Sequence, residues 1–286
     1  DLAYSRDGLL HVIDSAKSLK AARKLYAGRD VSELGVPELD TIAPLLDKSK
    51  IKGAFLLHKN ARINPAFIIT NLTKYLQTKG VTFVEDTIID LKTEGGAVTS
   101  VLSTNSEYEG EHFIMATGVD ETLNHKLGVS LMQIPTKGYS VTIAPKKEIK
   151  QAFPTMPLMF SDKFIIATPR KDDLRITSKL EVGGHNETIK QEVIDYIVNN
   201  FLHYCTSNID FADAKVEQWC GFRPLTPNDK PLLGRDKKYN NFLYATGLGW
   251  LGITFGPAIG KVVSELITKD MQNEQSEELI HFSGLM

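Results

Sequence analysis

The sequence predicts a mixed α/β fold with α+β character, built from two kinds of layer. One observation is a predicted helix followed at once by a glycine and an apolar run, PAFIITNLTKYLQTKGVTFVED, which is typical of α/β packing. Another is the strand-rich stretch over residues 131–180, whose alternating β-branched residues indicate an antiparallel or mixed sheet. The third is a strand near the C-terminus that leads through a glycine-rich turn into an apolar helix.

The composition is that of a globular protein and gives no sign of nucleic-acid binding or of a membrane span. The 286 residues carry a formal net charge of −2, and 42% are hydrophobic. A charge near zero gives no general attraction to nucleic acid. The two cysteines, Cys205 and Cys220, form no CxxC pair, which favours a reducing compartment. No uninterrupted apolar run reaches the length of a membrane span, so we expect no transmembrane segment.

The helix of the first α/β unit carries clear start and stop signals. Asn64 suits the N-cap, and Pro65 suits the first helical position. Gly80 is expected to end the helix in a left-handed conformation. The segment VTFVED at 81–86 is then expected to be a strand. The predicted apolar face of this helix comprises Phe67, Ile68, Leu72, Tyr75 and Leu76.

The other elements follow from periodicity and turn residues. Strands are predicted over 51–58, 87–93, 97–104, 112–118, 130–144, 163–169, 174–182 and 240–247, and helices over 14–27, 187–204 and 257–268.

The segment GLGWLGITFGPAIGK, residues 247–261, combines bare backbone with a helix start. Pro257 is predicted at the first helical position. Unpaired N–H groups there favour a negative group, and glycines let a ligand approach the backbone. A tight strand–helix junction explains the glycines equally well, and we assign them no dinucleotide fingerprint.

The segment WCGFRPLTPNDKPLLG places Arg223 between an aromatic residue and a proline. Such an arginine can offer its planar fork to a ligand carboxylate. A structural ion pair with Asp229 or Asp236 is the alternative, and the sequence leaves both open.

No acid–base or nucleophile motif competes with a cofactor. The seven histidines have no metal-ligand spacing, and the sequence has no G-x-S-x-G segment and no Cys–His pair typical of catalysis. We therefore expect no metal site.

Taken together, WCGFRPLTPNDKPLLG and NNFLYATGLGWLGITFGPAIGKVVSELI resemble the C-terminal signature of the FAD-dependent D-amino-acid oxidase superfamily, most nearly its bacterial D-amino acid dehydrogenases. The segments NPAFIITNLTKYLQTKGVTF, FIMATG, IPTKGYSVTI and TPRKDDLRITSKLE also agree with that family. The resemblance covers the chain from about Ile51 onward.

The resemblance implies an interleaved fold. Residues 61–118 and 221–286 would be pieces of an FAD-binding domain of the D-amino-acid oxidase type, and residues 1–60 and 119–220 would form a substrate domain with a mixed or antiparallel sheet. The family begins with a βαβ unit carrying G-x-G-x-x-G, and the chain has none near Asp1. We therefore expect an N-terminally truncated chain with an incomplete FAD domain, which holds no FAD and is an inactive fragment.

The resemblance also implies roles for individual residues. Arg223 would hold the substrate carboxylate, and Tyr139 is the second candidate catalytic residue. The residues expected to contact FAD are Ile88, Ala116, Thr117, Gly118, Gly249, Trp250, Leu251, Gly252, Ile253 and Thr254.

The implied activity of the parent protein is the oxidative deamination of D-amino acids, such as D-alanine, to a 2-oxo acid and ammonia. The implied cofactor is FAD, and the implied acceptor is a quinone or another carrier. A cytoplasmic location with peripheral association to the inner membrane is expected. Two alternatives stay open: a glycine- or sarcosine-type amine oxidase, and a non-catalytic binding or structural fragment.

Overall fold

The structure, a computed structural model, describes residues 3–120, 122–127, 131–207, 209, 211 and 213–268. The helices in this part of the chain are α1 (Ala16–Tyr26), α2 (Val36–Ile42), α3 (Pro65–Thr78), α4 (Thr122–Leu127), α5 (Lys147–Lys150), α6 (Gln191–His203) and α7 (Gly252–Thr268). The strands are β1 (Leu9–Ile13), β2 (Val31–Leu34), β3 (Gly53–Leu57), β4 (Ile88–Glu94), β5 (Ala97–Ser103), β6 (Glu107–Glu109), β7 (Phe113–Met115), β8 (Ile134–Ala144), β9 (Leu158–Phe160), β10 (Ile165–Pro169), β11 (Leu174–Val182), β12 (Lys215–Leu225), β13 (Leu232–Arg235) and β14 (Phe242–Thr246).

One compact unit comprises residues 1–79, 138–181 and 187–221. An eight-stranded sheet runs through it in the order β12-β8-β11-β10-β9-β1-β3-β2, with β1 parallel to β9 and antiparallel to β3. Along β10 the side chains of Ile165 and Ala167 are buried while Ile166 is exposed, as expected for a strand with one face on the core. Ile197 and Phe201 of α6 belong to the same core. The predicted mixed sheet is therefore confirmed.

The second unit comprises residues 80–137, 182–186 and 222–286. It contains two three-stranded sheets, β13-β14-β7 and β4-β5-β6. The C-terminal part of α7 packs on the first of these sheets. That core is formed by Leu233, Leu243, Ile259, Val262, Val263 and Leu266. The predicted division into a substrate domain and an FAD-binding domain concerns function, and it stays a prediction.

The signals at both ends of α3 are confirmed. Asn64 Oδ1 accepts a hydrogen bond from the N–H of Ala66 at 3.1 Å, and Pro65 is the first helical residue. Gly80 has φ +87° and follows the last turn. The cap and the left-handed glycine together explain where the helix begins and ends.

One prediction about the surroundings of α3 is wrong. Residues 81–86 form no strand, because no described strand pairs with them, and Val81, Phe83 and Val84 are 43%, 49% and 56% exposed. None of the residues of α3 is buried, so its apolar face is open as well. A strand or helix pattern shows only that a segment could pair or pack. Whether it does depends on a neighbouring strand or helix, and the described residues supply none for 81–86.

The predicted start of the last helix is also wrong. The helix α7 begins at Gly252, directly after a 3-10 turn at Gly249–Leu251, and Pro257 lies inside it. Proline removes one helical hydrogen bond without preventing a helix that is fixed by packing further along. The backbone N–H groups of the helix start therefore belong to Gly252, Ile253 and Thr254, and not to the residues around Pro257.

The segment Gly249–Thr268 is long and apolar enough, by length and composition, to cross a membrane. The sequence-based expectation of no such segment relied on an uninterrupted apolar run, and Lys261 and Glu265 interrupt this one. A single helix of this kind is weak support for a membrane span, because core helices of other proteins pass the same test.

Replacing Gly247 with alanine is expected to lower the free energy of unfolding by about 1–3 kcal/mol. Gly247 has φ +71°, and an added Cβ would lie 2.9 Å from both Leu232 Cγ and Thr226 Cγ2. The control is Gly260→Ala, since nothing lies within 4 Å of an added Cβ there. That control should be neutral or stabilising by up to about 1 kcal/mol. Equal stabilities of the two variants in urea titrations would contradict the packing described for Gly247.

Asp86 gives the stability a defined pH dependence. Its carboxylate accepts hydrogen bonds from Ser103 Oγ at 2.6 Å and Thr104 Oγ1 at 2.7 Å, and these bonds lower its pKa from 3.8 to about 2. A carboxylate with a lowered folded-state pKa stabilises the fold above its unfolded pKa. That contribution is lost as the pH falls through the folded-state pKa.

We therefore expect Asp86→Asn to have a lower Tm than the unchanged protein at pH 6, with the difference shrinking between pH 4 and pH 2. Asp30→Asn serves as control, because this exposed carboxylate pairs with Lys59 at the surface. A Tm difference for Asp86→Asn that is independent of pH would contradict the account.

Candidate functional site

Two short turns meet at one edge of a sheet in the second unit. Strands β7 and β14 are parallel neighbours, with Phe113 opposite Phe242 and Met115 opposite Tyr244. Their carboxyl ends therefore lie at the same edge, where Ala116-Thr117-Gly118 follows β7 and the glycine turn from Gly247 follows β14. In sheets with parallel strands, ligands bind preferentially outside this edge.

Buried polar side chains tie the two turns together. Gln133 links the two turns: its side-chain N–H donates to the backbone oxygen of Gly118, and its side-chain oxygen accepts from Thr246 Oγ1 and from the N–H of Gly247 at 3.2 Å. The side-chain amide of Gln133 lies 2.9 Å from the same Oγ1, and both Gln133 and Thr246 are buried. Because buried polar groups need partners, this network fixes the turn after β7 relative to the turn after β14.

The first turn of α7 presents backbone donors beside apolar side chains. Trp250, Leu251 and Ile253 are 55%, 42% and 42% exposed, although all three are large and apolar. An added Cβ at Gly118 would meet nothing within 4 Å, so the backbone there can be approached closely. Free N–H groups at a helix start together with apolar side chains fit a flat, partly anionic group such as a flavin ring.

Arg223 lies on β12 and is held without a counter-ion. Burial lowers the pKa of its guanidinium, and the Nη1 atom is buried with no hydrogen-bond partner among the described residues. The alternative of an ion pair with Asp229 or Asp236 is wrong for the described chain, since neither carboxylate pairs with Arg223. Asp236 accepts instead from Tyr244 Oη at 2.6 Å.

An unpaired buried polar group costs about 1–3 kcal/mol, and more when it is charged. The guanidinium of Arg223 has therefore been desolvated without gaining an internal bond. An anionic ligand that accepts from Nη1 would recover this free energy. A carboxylate matches the two parallel donors of an arginine fork best.

The indole of Trp250 lies over Arg223. The distance from the guanidinium carbon to the ring centroid is 5.7 Å, within the range of a cation–π contact. The turn that carries Trp250 packs on the same strand, because an added Cβ at Gly249 would lie 3.7 Å from Leu225 Cγ and 3.9 Å from the backbone oxygen of Pro224.

The two remaining predicted site residues, Tyr139 and Ile88, belong to other elements. Tyr139 belongs to the first unit, where it is buried and its hydroxyl donates to Glu181 Oε2 at 2.5 Å. Lys190 Nζ donates to the other oxygen of Glu181. Ile88 begins β4 and packs against the core of the second unit that contains Met115 and Tyr244. The roles predicted for these two residues stay predictions.

Sequence reasoning missed three features of the site. Gln133 and Thr246 show no local motif. The parallel pairing of β7 with β14 brings Thr246 to Gly118, and Gln133 reaches both from the residue before β8. The third feature can be read in the sequence itself. Gly247, Gly249 and Gly252 have the spacing G-x-G-x-x-G, after a strand and before a helix. No described strand follows α7, so the βαβ context that gives this motif its specificity is not present there.

No group of three or more His, Cys, Asp or Glu side chains that could hold a metal ion occurs among the residues that the structure describes.

The sequence is similar to curated D-amino acid dehydrogenases. A D-amino acid dehydrogenase of Helicobacter pylori is 38% identical over 286 residues, covering 99% of this chain and 68% of that protein. A D-amino acid dehydrogenase of Vibrio vulnificus is 31% identical over 293 residues, covering 97% of this chain and 67% of that protein.

Solved structures share the fold at low sequence identity. Glycine oxidase from Geobacillus kaustophilus superposes with a TM-score of 0.84 at 19% identity, covering 99% of this chain and 75% of that one. L-proline dehydrogenase from P. horikoshii superposes with a TM-score of 0.80 at 19% identity, covering 98% of this chain and 78% of that one. The sequence matches the family described as FAD dependent oxidoreductase, DAO, over residues 1–266. The chain therefore belongs to the DAO family of FAD-dependent oxidoreductases.

Proposed function

We propose that the parent protein oxidises D-amino acids to 2-oxo acids and ammonia, with Arg223 binding the substrate carboxylate. That this chain by itself holds no FAD stays a prediction, and the experiments below use protein to which FAD has been bound. The observation that carries the proposal is the half-buried guanidinium whose Nη1 has no partner among the described residues. The names of the relatives from Helicobacter pylori and Vibrio vulnificus support the substrate class. Family membership supports the redox chemistry.

Arg223 would act by binding and orientation. A carboxylate held by the arginine fork has a fixed plane, and the Cα–H bond of the amino acid then has a fixed direction. Because the guanidinium is already partly desolvated, less water needs to be removed when the substrate binds than at a fully exposed arginine. The ion pair forms in a medium of low dielectric, where it is stronger than in water.

The flavin end of the cofactor fits the first turn of α7. The N–H groups of Gly252, Ile253 and Thr254 would donate to its electron-rich edge, and Leu251 and Ile253 would contact its apolar surface. Ala116, Thr117 and Gly118, at the end of β7, would approach its other part. When bound, FAD supplies the two-electron oxidant for the reaction.

The chemistry balances without a catalytic dyad in the protein. The amino acid loses a hydride from Cα and a proton from its neutral amino group, which leaves a 2-imino acid. Water then hydrolyses the imine to the 2-oxo acid and ammonia. Orientation and a neutral amine are the main requirements, so the lack of an acid–base motif in the sequence is compatible with the proposal.

The acceptor and the location belong to the same proposal. We infer a quinone or another electron carrier as acceptor, and a cytoplasmic location with peripheral association to the inner membrane. Reduction of a quinone analogue by the FAD-loaded protein, and co-sedimentation of the protein with membranes, would test these two points.

The Arg223→Ala variant is expected to lose about 2–5 kcal/mol of transition-state binding, as when one partner of a buried charge pair is removed. That loss corresponds to a fall in kcat/KM of roughly 30-fold or more. Dye-coupled oxidation of D-alanine by the FAD-loaded protein measures it. Arg23→Ala, which removes an exposed arginine paired with Glu33, is the control and should retain kcat/KM. Near-normal turnover by Arg223→Ala would reject the assignment.

A substrate panel distinguishes the proposal from its alternatives. We expect D-alanine, and not L-alanine, to reduce an acceptor dye in the presence of the FAD-loaded protein. Oxidation of glycine or sarcosine with formation of hydrogen peroxide would favour the amine oxidase. No oxidation of any amine, with FAD bound, would favour a non-catalytic role.

A further inference from the structure

We propose that Trp250 is a positioning residue for Arg223: its indole fixes the plane of the guanidinium that receives the substrate carboxylate. This assigns the side chain to the amino-acid side of the site, whereas the sequence suggested a flavin contact. The inference rests on the proposed function for its role in catalysis. The contact itself can be tested separately.

The geometry of the contact supports this role. The guanidinium carbon of Arg223 lies 5.7 Å from the centroid of the Trp250 ring. Among the described residues Nη1 has no hydrogen-bond partner, so no hydrogen bond at that atom fixes the plane of the guanidinium. Arginine side chains carry much rotamer entropy, so an arginine that awaits a ligand needs another group to hold its plane.

The backbone that carries Trp250 is itself fixed. Gly249 has φ +49°, a conformation that favours glycine, and its Cα faces Leu225 and the backbone of Pro224. The N–H of Leu251 donates to the backbone oxygen of Leu248 at 2.9 Å, which closes the 3-10 turn. Trp250 therefore projects from a short rigid turn that lies directly beside the two residues following Arg223.

The exposure of Trp250 also needs an explanation. The side chain is 55% exposed although it is the largest apolar side chain of the turn. An indole that serves only to fill the core would be covered. One that stacks on an arginine while keeping its remaining surface open can close over a bound carboxylate and exclude water from the ion pair.

The chain contains a matched internal control. It has two tryptophans, and the other, Trp219, stacks with Arg175 at 5.4 Å from guanidinium carbon to ring centroid. Arg175 Nη2 also donates to Ser140 Oγ at 3.1 Å, so that arginine is fastened by a hydrogen bond as well as by the ring. The two arginine–tryptophan pairs have similar geometry and different neighbours.

The first experiment measures the contact without cofactor or turnover. In a Trp219→Phe background, Trp250 is the single tryptophan and the sole source of indole emission. Adding Arg223→Leu to this background should change the intensity or the wavelength of that emission, because a cation next to the ring is removed. Adding Arg175→Leu instead should leave it unchanged. An emission that does not respond to Arg223→Leu overturns the proposal, whatever substrate the protein oxidises.

The second experiment measures the consequence for binding. Propionate, which is alanine without its amino group, is titrated calorimetrically into the FAD-loaded protein. We expect Trp250→Leu to raise its Kd about 5- to 30-fold, the range of a partly desolvated cation–π contact, and Trp250→Phe to raise it less. The KM for D-alanine should rise in parallel, with kcat changed by less than about 2-fold.

The outcomes separate the two proposals. An unchanged Kd for propionate in Trp250→Leu, with emission that does respond to Arg223→Leu, would mean that the contact exists without a positioning role, and the proposal fails. A protein that oxidises no amino acid but shows both effects would overturn the proposed function and leave Trp250 as the residue that positions an anion-binding Arg223.

Discussion

The parallel pairing of β7 with β14 is the constraint on which the candidate site depends. Parallel strands bring their carboxyl ends to one edge, and here each strand ends in a turn of small residues. Hydrogen bonds from Gln133 to the backbone of Gly118 and from Thr246 to Gln133 hold the two turns together. Packing of α7 on β13 and β14 then fixes where the first turn of that helix points. The predicted flavin contacts from both turns thus come from elements with little freedom to move.

Arg223 adds an electrostatic constraint to this scaffold. Partial burial of a guanidinium whose Nη1 has no partner among the described residues is unfavourable, and the face of Trp250 offsets part of that cost. A site with a desolvated, unpaired donor favours a ligand that provides the missing acceptor. Glycine occupies position 249 for a steric reason. The turn that carries Trp250 lies against the strand that carries Arg223, and its backbone has a positive φ at this residue.

Helix ends and several strands could be predicted from the sequence, because residues close together in the chain determine them. The N-cap at Asn64, the left-handed Gly80 and four strands of the eight-stranded sheet, β3, β8, β10 and β11, were predicted from residue type and period. Failures came where a distant partner decides the outcome. Residues 81–86 have a strand pattern but no described neighbour, and Pro257 lies within a helix that packing on β13 and β14 stabilises. Arg223 was found from its flanking residues, whereas its stacking on Trp250 depends on a turn that no short pattern places.

The most direct test of the central claim is a crystal structure of the protein with FAD and propionate bound. If Arg223 binds the substrate carboxylate, a carboxylate oxygen of propionate should lie within about 2.7–3.2 Å of Arg223 Nη1 in this structure. The flavin ring should lie at the first turn of α7. A carboxylate bound elsewhere, with Nη1 donating to a protein acceptor, would contradict the claim that Arg223 is held in readiness for the substrate.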